Sequence, residues 1–221
     1  MRWWQTVVVN ECPTKRSSGR LTAAADFCVG QTGIKRMNLD VPARIFLDTC
    51  VVNFMLEFGE QIHDGADLPP VGTREAADIV ALRDLWVVGQ RAMWQLAVSP
   101  YTYSEIARTK DEEKLRQLHT WFQELWQYWR STIERTDDLP SFIEAEDLRV
   151  RTLISDYVSC LPDVADRVLI CDALVYRCDL FCTRDWTTVL KHRAELKGLP
   201  IEIVTPSEWW AKVRPYADLW A

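Results

Sequence analysis

Short apolar segments alternate with longer helical patterns after residue 40, and this alternation limits the possible folds more than any other feature. The strand-like segments are RIFL at 44–47, LAVSP at 96–100, LFCT at 180–183 and IEIV at 201–204. A strand–helix–strand order favours a mainly parallel sheet that helices cover on both faces. We therefore predict an α/β fold with a four- or five-stranded sheet at 41–221, preceded by an N-terminal extension at 1–40.

The middle of the chain contains more helix than a small sheet needs. Leucine, phenylalanine and tryptophan recur every three or four positions between 115 and 133, which predicts one buried face of a long helix. Ser141 and Glu144 form a capping box that predicts the start of the next helix. A further helix is predicted over about 186–197. We expect the apolar face at 115–133 to pack in the core or in a homodimer interface.

Composition excludes several classes of protein. The net charge of −6 and the pI of about 5.2 argue against a basic protein that coats nucleic acid. Seven cysteines form no CxxC pair, which favours reduced thiols in a cytoplasmic protein, and three scattered histidines disfavour a zinc site. No apolar run approaches the roughly 20 residues that span a membrane, so we expect no membrane segment.

Acidic residues stand where the apolar segments end or where the following helices begin. They are Asp48, Glu105, Asp166 and Asp185. Because ligands of parallel sheets bind outside the carboxyl ends of the strands, these carboxylates are expected to converge at one edge. Converging carboxylates repel one another unless a cation lies among them, and Mg²⁺ or Mn²⁺ prefers oxygen ligands. The pattern predicts a metal-dependent phosphoryl-transfer enzyme, with a nuclease as the leading class.

Three segments that contain these acids resemble the PIN-domain nuclease family, including its VapC-type ribonuclease toxins. They are RIFLDTCVVNFML, LAVSPYTYSEI and DRVLICDALVYRCDLFCTRDW, with IEIVTPSEWW as the closing strand and helix. The third segment matches most specifically, because its two acids, Asp166 and Asp185, have the spacing typical of the family. The resemblance covers roughly residues 43 to 211.

The resemblance implies an endoribonuclease that hydrolyses RNA to 5′-phosphate and 3′-hydroxyl ends, with an antitoxin protein as a candidate partner. The four acids named above would then be catalytic and would hold one or two Mg²⁺ or Mn²⁺ ions. Thr183 and Thr49 would orient the ligands. Contacts to substrate phosphates would come from Arg108, Lys191 and Arg193.

Two residues depart from the family pattern. Cys50 stands where the family often has Ser or Asn, which predicts a weaker hydrogen bond behind the site. Asp172 is an additional acid and is the alternative metal ligand if the register differs. On a helix, Asp166 and Asp172 face different directions, so only one of them is expected to reach the metal.

Each acid also has a simpler explanation, and the acid pattern has competing functions. Asp48, Asp166 and Asp185 could be helix caps, and Glu105 could favour a helix dipole. A catalytically inactive PIN-like scaffold that binds RNA or a protein partner is the alternative function. A phosphoacceptor receiver domain is disfavoured, because the last strand is followed by Thr205 and a proline instead of a lysine.

Overall fold

The computed structural model describes residues 41–92, 94–136, 138–153, 155–196 and 198–220. The predicted extension at 1–40 lies outside the described residues. Val41–Ala221 forms one compact unit. No helix within the described ranges is long and apolar enough to cross a membrane.

The centre of the fold is a sheet of four parallel strands in the order β2–β1–β3–β4. The strands are β1 (Arg44–Leu47), β2 (Gln95–Ala97), β3 (Leu180–Cys182) and β4 (Glu202–Val204). The two central strands are almost continuously buried, as expected for a parallel sheet that is covered on both faces. The predicted α/β class and parallel sheet are confirmed.

Helices connect and flank the strands. They are α1 (Thr49–Glu57), α2 (Gly59–His63), α3 (Thr73–Ala92), α4 (Pro100–Ile106), α5 (Glu112–Arg135), α6 (Phe142–Leu153), α7 (Val164–Val175), α8 (Val189–His192) and α9 (Pro206–Val213). Short 3-10 helices follow α6 at Asp156–Val158 and α9 at Arg214–Trp220. The predicted capping box forms at α6, where the Ser141 N–H donates to Glu144 at 2.8 Å and the Glu144 N–H donates to Ser141 at 3.3 Å.

The apolar face of α5 lies in the core. Its buried members are Leu118, Phe122, Leu125, Trp129 and Ile133. The Trp129 ring packs 5.2 Å from that of Tyr176, and Trp129 belongs to the cluster that contains the strand residues Phe46 and Phe181. Of the two expectations for this face, core packing is the one that the structure supports.

The helix predicted over about 186–197 is much shorter than expected. Of the residues described in this range, only Val189–His192 (α8) are α-helical, while 186–188 and 193–196 form turns. The carboxylate of Asp185 accepts the N–H groups of Thr187 and Thr188 and closes the first of these turns ahead of α8. The side chain that closes this turn is one of the predicted site residues.

Candidate functional site

The carboxyl ends of β1, β3 and β4 lie at one level of the sheet. Asp48 directly follows β1, and its N–H donates to the Cys182 carbonyl at 3.1 Å. The N–H of Thr183, directly after β3, donates to the Val204 carbonyl at 2.9 Å. This continued pairing places the Asp48 side chain, which is 5% exposed, beside the segment that follows β3.

Hydroxyl and thiol groups hold the carboxylate of Asp48. Thr183 donates its hydroxyl to Asp48 Oδ2 at 2.5 Å, and the Cys50 thiol donates to the same oxygen at 3.0 Å. The Cys50 sulfur in turn accepts the Arg184 N–H at 3.1 Å. Burial raises the pKa of Cys50 well above its usual range, with the nearby Asp48 charge adding to the effect, so the thiol keeps its proton. A hydrogen bond is therefore made at the position where the sequence predicts a weak one.

Burial raises the pKa of Asp48 above its ordinary value. The donors Thr183 and Cys50 act in the opposite direction, and the negative charge of Asp185 adds to the rise. The direction means that the folded protein disfavours the charged form of this carboxyl. Asp48 is thus buried without a salt-bridge partner among the residues that the structure describes.

Glu105 reaches the same region from α4. This helix begins shortly after β2, where its N-cap residue Ser99 accepts the Tyr101 N–H through the side-chain hydroxyl at 2.9 Å. The Thr49 hydroxyl donates to Glu105 Oε2, which links the start of α1 to α4. Burial raises the pKa of Glu105 and Asp48 adds to the rise, whereas the Arg108 charge opposes it.

Asp166 and Asp185 share one hydroxyl group. Thr188 Oγ1 lies 2.6 Å from Asp166 Oδ2 and also contacts Asp185 Oδ2. A hydroxyl carries one proton and can donate to only one of the two carboxylates at a time. Burial raises the pKa of Asp166 to about 6, and the charges of Asp48 and Asp185 add to the rise. Burial acts likewise on Asp185, but hydrogen bonds from Thr188 and Thr187 outweigh it and lower the pKa.

The helix-cap explanation applies to only one of the three aspartates. Asp163, not Asp166, caps α7, because its carboxylate accepts the Ala165 N–H at 2.8 Å. Asp48 occupies the N-cap position of α1 but makes no side-chain capping hydrogen bond. Asp185 does make hydrogen bonds of the capping type, since Oδ1 accepts two backbone N–H groups at 2.8 and 3.0 Å, but the turn that they close lies ahead of α8, whose N-cap residue is Thr188. Capping alone therefore leaves Asp48 and Asp166 unexplained.

The four acids influence one another, and no salt bridge among the described residues involves any of them. Asp48 raises the pKa of both Glu105 and Asp166 in addition to burial, and Asp185 raises that of Asp48. In the present arrangement of the described side chains, no three His, Cys, Asp or Glu residues are grouped so that they could hold a metal ion. The structure thus brings the predicted acids together electrostatically, with their oxygens hydrogen-bonded to hydroxyl, thiol and backbone N–H groups.

Asp172, the alternative ligand, has a different environment. It is completely buried on α7, and Arg149 of α6 donates to its Oδ1 at 2.5 Å. Burial raises the pKa of Asp172, while hydrogen bonds from Ser99 and Arg149 oppose the rise. This ion pair joins two helices, and the main charges acting on Asp172 come from Arg149 and Glu146 rather than from the four acids.

The three predicted phosphate contacts are not equivalent. Arg108 is exposed one turn beyond Glu105, and its N–H donates to the Glu105 carbonyl at 3.0 Å. Lys191 is exposed on α8. The Arg193 guanidinium donates to the carboxylate of Glu208 in α9 at 2.6 Å and to the Ile203 carbonyl at 3.4 Å. The Arg108 charge acts on the predicted site residue Glu105 and opposes the rise of its pKa.

Sequence reasoning missed a buried network behind the segment that carries Thr183 and Asp185. Arg184 donates to Asp78 of α3 at 2.9 Å, and the guanidinium lies 3.4 Å from the centre of the Phe54 ring. Ser207 of α9 donates its hydroxyl to the other Asp78 oxygen at 2.6 Å. Asp78 is 1% exposed, so this network fixes the segment after β3 against three helices.

The shared donor Thr188 was also missed, although the sequence contains a local signal for it. An Asp followed two and three positions later by threonines is typical of a side-chain-to-backbone turn. The Asp78 network has no comparable local signal, because its partners Arg184 and Ser207 lie more than a hundred positions away.

No protein-family model, curated protein or solved structure matches this chain. The resemblance to PIN-domain nucleases therefore rests on the sequence segments quoted above and stays a prediction. The function has to be argued from the site itself.

Proposed function

We propose that this protein is a metal-dependent endoribonuclease that hydrolyses RNA phosphodiester bonds at the carboxyl edge of its sheet. The observation that carries the proposal is that Asp166 and Asp185 contact one hydroxyl group, and that none of the predicted acids forms a salt bridge with a described residue. The negative charges of Asp48 and Asp185 add to the rise that burial causes in the pKa of Asp166. Acids that only stabilise a fold are normally paired with a cation when they are buried. A divalent ion is the partner that would balance this group of charges.

The donor set fits a hard cation. The candidate ligands are the carboxylate oxygens of Asp48, Glu105, Asp166 and Asp185, and such oxygens are the ligands that Mg²⁺ and Mn²⁺ favour. A bound divalent ion supplies Lewis-acid stabilisation of the phosphate oxygens and lowers the pKa of water. The residues that would hold it come from four separate segments, so the ion would also cross-link the sheet edge to α4 and α7.

The residues behind the acids determine how well they are positioned. Thr183 holds Asp48 through its hydroxyl and accepts the Asp185 N–H at 3.0 Å, so it fixes two acids relative to each other. Arg184, which lies between Thr183 and Asp185, donates to Asp78 and so holds the segment after β3 against α3. Pre-organised ligands do not have to be ordered during the reaction, which favours the transition state. Arg108, whose charge acts on Glu105, would contact a substrate phosphate on that side of the site.

The test is cleavage of total RNA by the purified protein with Mn²⁺, Mg²⁺ or EDTA. We expect metal-dependent cleavage by the wild type and a loss of at least about 100-fold in Asp48→Asn and Glu105→Gln. Asp179→Asn is a matched control, because Asp179 accepts the N–H groups of Ala43 and Arg44 at the start of β1, which is the opposite edge of the sheet. It should cleave like the wild type. Equal cleavage by Asp48→Asn and the wild type would contradict the proposal.

An inactive scaffold that binds RNA is the second candidate. It is favoured by one observation: the carboxylates are satisfied by hydroxyl donors and are not grouped to hold an ion as they stand. This candidate predicts RNA binding that survives Asp48→Asn and no cleavage with any metal. Cleavage that depends on both Mn²⁺ and Asp48 would exclude it.

A further inference from the structure

An exposed tryptophan adjoins the acidic site. Of the tryptophans whose side chains the structure describes, only Trp186 is exposed, with 40% of its surface accessible. It directly follows Asp185 in the chain. Large aromatic side chains are usually buried, so an exposed one beside a candidate catalytic acid suggests a contact surface for a ligand.

The position of Trp186 is fixed by the acid itself. Asp185 Oδ1 accepts the Thr187 N–H at 2.8 Å, the Thr187 hydroxyl at 2.7 Å and the Thr188 N–H at 3.0 Å. Trp186 lies within the turn that these hydrogen bonds close. Trp186 and the candidate metal ligand Asp185 thus belong to one short turn, which keeps the ring close in the chain to the proposed reacting centre.

A guanidinium group is stacked on this ring. Arg74, near the start of α3, has its Cζ 3.9 Å from the centre of the Trp186 ring. Arg74 is exposed and forms no salt bridge with any described residue. It therefore keeps its charge available for an anion. In a chain with a net charge of −6, a cation held against a flat aromatic surface is a local exception to the acidic character.

We propose that Trp186 and Arg74 form a nucleobase-binding subsite beside Asp185. An unpaired base stacks on the accessible part of the Trp186 ring, and Arg74 contacts the phosphate of the same nucleotide. The inference rests on the proposed nuclease, since it identifies where that enzyme holds the nucleotide next to the bond it cleaves. The subsite requires an unpaired base, because a base inside a duplex does not offer a free face for stacking.

The test measures binding separately from cleavage. A fluorescein-labelled single-stranded RNA decamer is titrated in EDTA and followed by anisotropy. We expect Trp186→Ala to weaken binding about 10-fold or more, as is typical for the loss of one base–aromatic stack. Trp186→Phe should recover most of the affinity because it keeps an aromatic face. Arg74→Gln should weaken binding and reduce the slope of log K against log salt by about 1.

Tyr157→Ala is the control for a nonspecific effect of an exposed aromatic residue. Tyr157 is 62% exposed and lines a cavity with Leu174 and Arg177, before β3 and therefore toward the opposite edge of the sheet. Its removal should leave RNA affinity unchanged. Should Trp186→Ala fail to fold, Trp186→Leu keeps apolar bulk without a π face and should show the same loss.

The outcomes separate the subsite from the nuclease. RNA affinity that is equal in the wild type and Trp186→Ala would overturn the subsite, even if Mn²⁺-dependent cleavage is present. A duplex that competes as well as the single strand would also overturn it. Binding that depends on Trp186, in a protein that cleaves nothing with Mn²⁺, would support the subsite and refute the nuclease. In the expected result, Trp186→Ala also raises KM more than it lowers kcat, because the ring binds substrate and does no chemistry.

Discussion

Two regions of this molecule bury aspartates in opposite ways. Between packed helices, Asp78 of α3 is 1% exposed and is bound by Arg184 and by Ser207 of α9, while Asp172 of α7 is completely buried against Arg149 of α6. At the carboxyl edge, Asp48 is 5% exposed, yet its donors are a hydroxyl and a thiol, and Asp185 adds negative charge. The first arrangement is sufficient for a folded protein. The second leaves charge that folding does not balance, which is why we assign it to function.

The strongest test of this contrast compares the same substitution in the two regions. Asp78→Asn leaves the Arg184 guanidinium without its partner, and breaking such a buried pair should lower the free energy of unfolding by about 3–5 kcal/mol. Asp48→Asn keeps an oxygen that can accept from Thr183, and it removes a charge that burial disfavours. Its effect should be smaller than about 1 kcal/mol, or stabilising. Urea unfolding monitored by circular dichroism measures both.

Equal losses of the free energy of unfolding in Asp78→Asn and Asp48→Asn would contradict this contrast, because they would show that Asp48 stabilises the fold as Asp78 does.

Ser207→Ala separates the two halves of the Asp78 network. It removes the hydroxyl donor but leaves Arg184 paired, so it should cost less than Asp78→Asn, about 1 kcal/mol.

The contrast also shows what the sequence could reveal. The alternation of apolar segments with helical patterns predicts the parallel sheet, because both depend on local periodicity. The acids at the segment ends could be found because the carboxyl ends of parallel strands meet at one edge. Asp78 could not be found in this way. It is one of several acids in the helical pattern of α3, and only the packing of α3 against α9 shows that it faces Arg184 and Ser207.

The helix predicted over about 186–197 shows where a local pattern was insufficient. Asp185 accepts the N–H groups of Thr187 and Thr188 and closes a turn at 186–188, so α8 begins only at Val189. Trp186 is exposed in that turn. Helix periodicity alone does not place the turn, because the side-chain acceptor Asp185 lies outside the periodic pattern.

Metal binding provides a second, smaller contrast between the two regions. Mn²⁺ at about 100 times its Kd should stabilise the wild type by about 2.7 kcal/mol. Asp48→Asn should lose this gain. Asp172→Asn should keep it, although its metal-free stability is lower, because Asp172 pairs with Arg149 outside the site. Thermal unfolding with and without Mn²⁺ measures the gain in each variant. A gain that disappears equally in both variants would mean that Mn²⁺ does not distinguish the two regions.

The smallest expected effect is a pH dependence of the metal-free protein. Burial, with help from Asp48 and Asp185, raises the pKa of Asp166 from 3.8 to about 6. Between these two values the folded state binds more protons than the unfolded state, so stability falls as the pH rises from about 4 to 6. Because Asp166 is only half-buried, we expect it to contribute about 1 kcal/mol to this fall in the free energy of unfolding, after allowing for solvent screening.

Asp166→Asn removes the contribution of Asp166 to this pH dependence, so the free energy of unfolding of the variant should rise relative to that of the wild type between pH 4 and 7. The difference between the two unfolding curves isolates Asp166 from the other acids that titrate in the same range. Saturating Mn²⁺ should reverse the trend in the wild type, because an ion binds the deprotonated carboxylates. A wild-type curve that has the same slope with and without Mn²⁺ would place Asp166 with the structural acids and remove it from the proposed site.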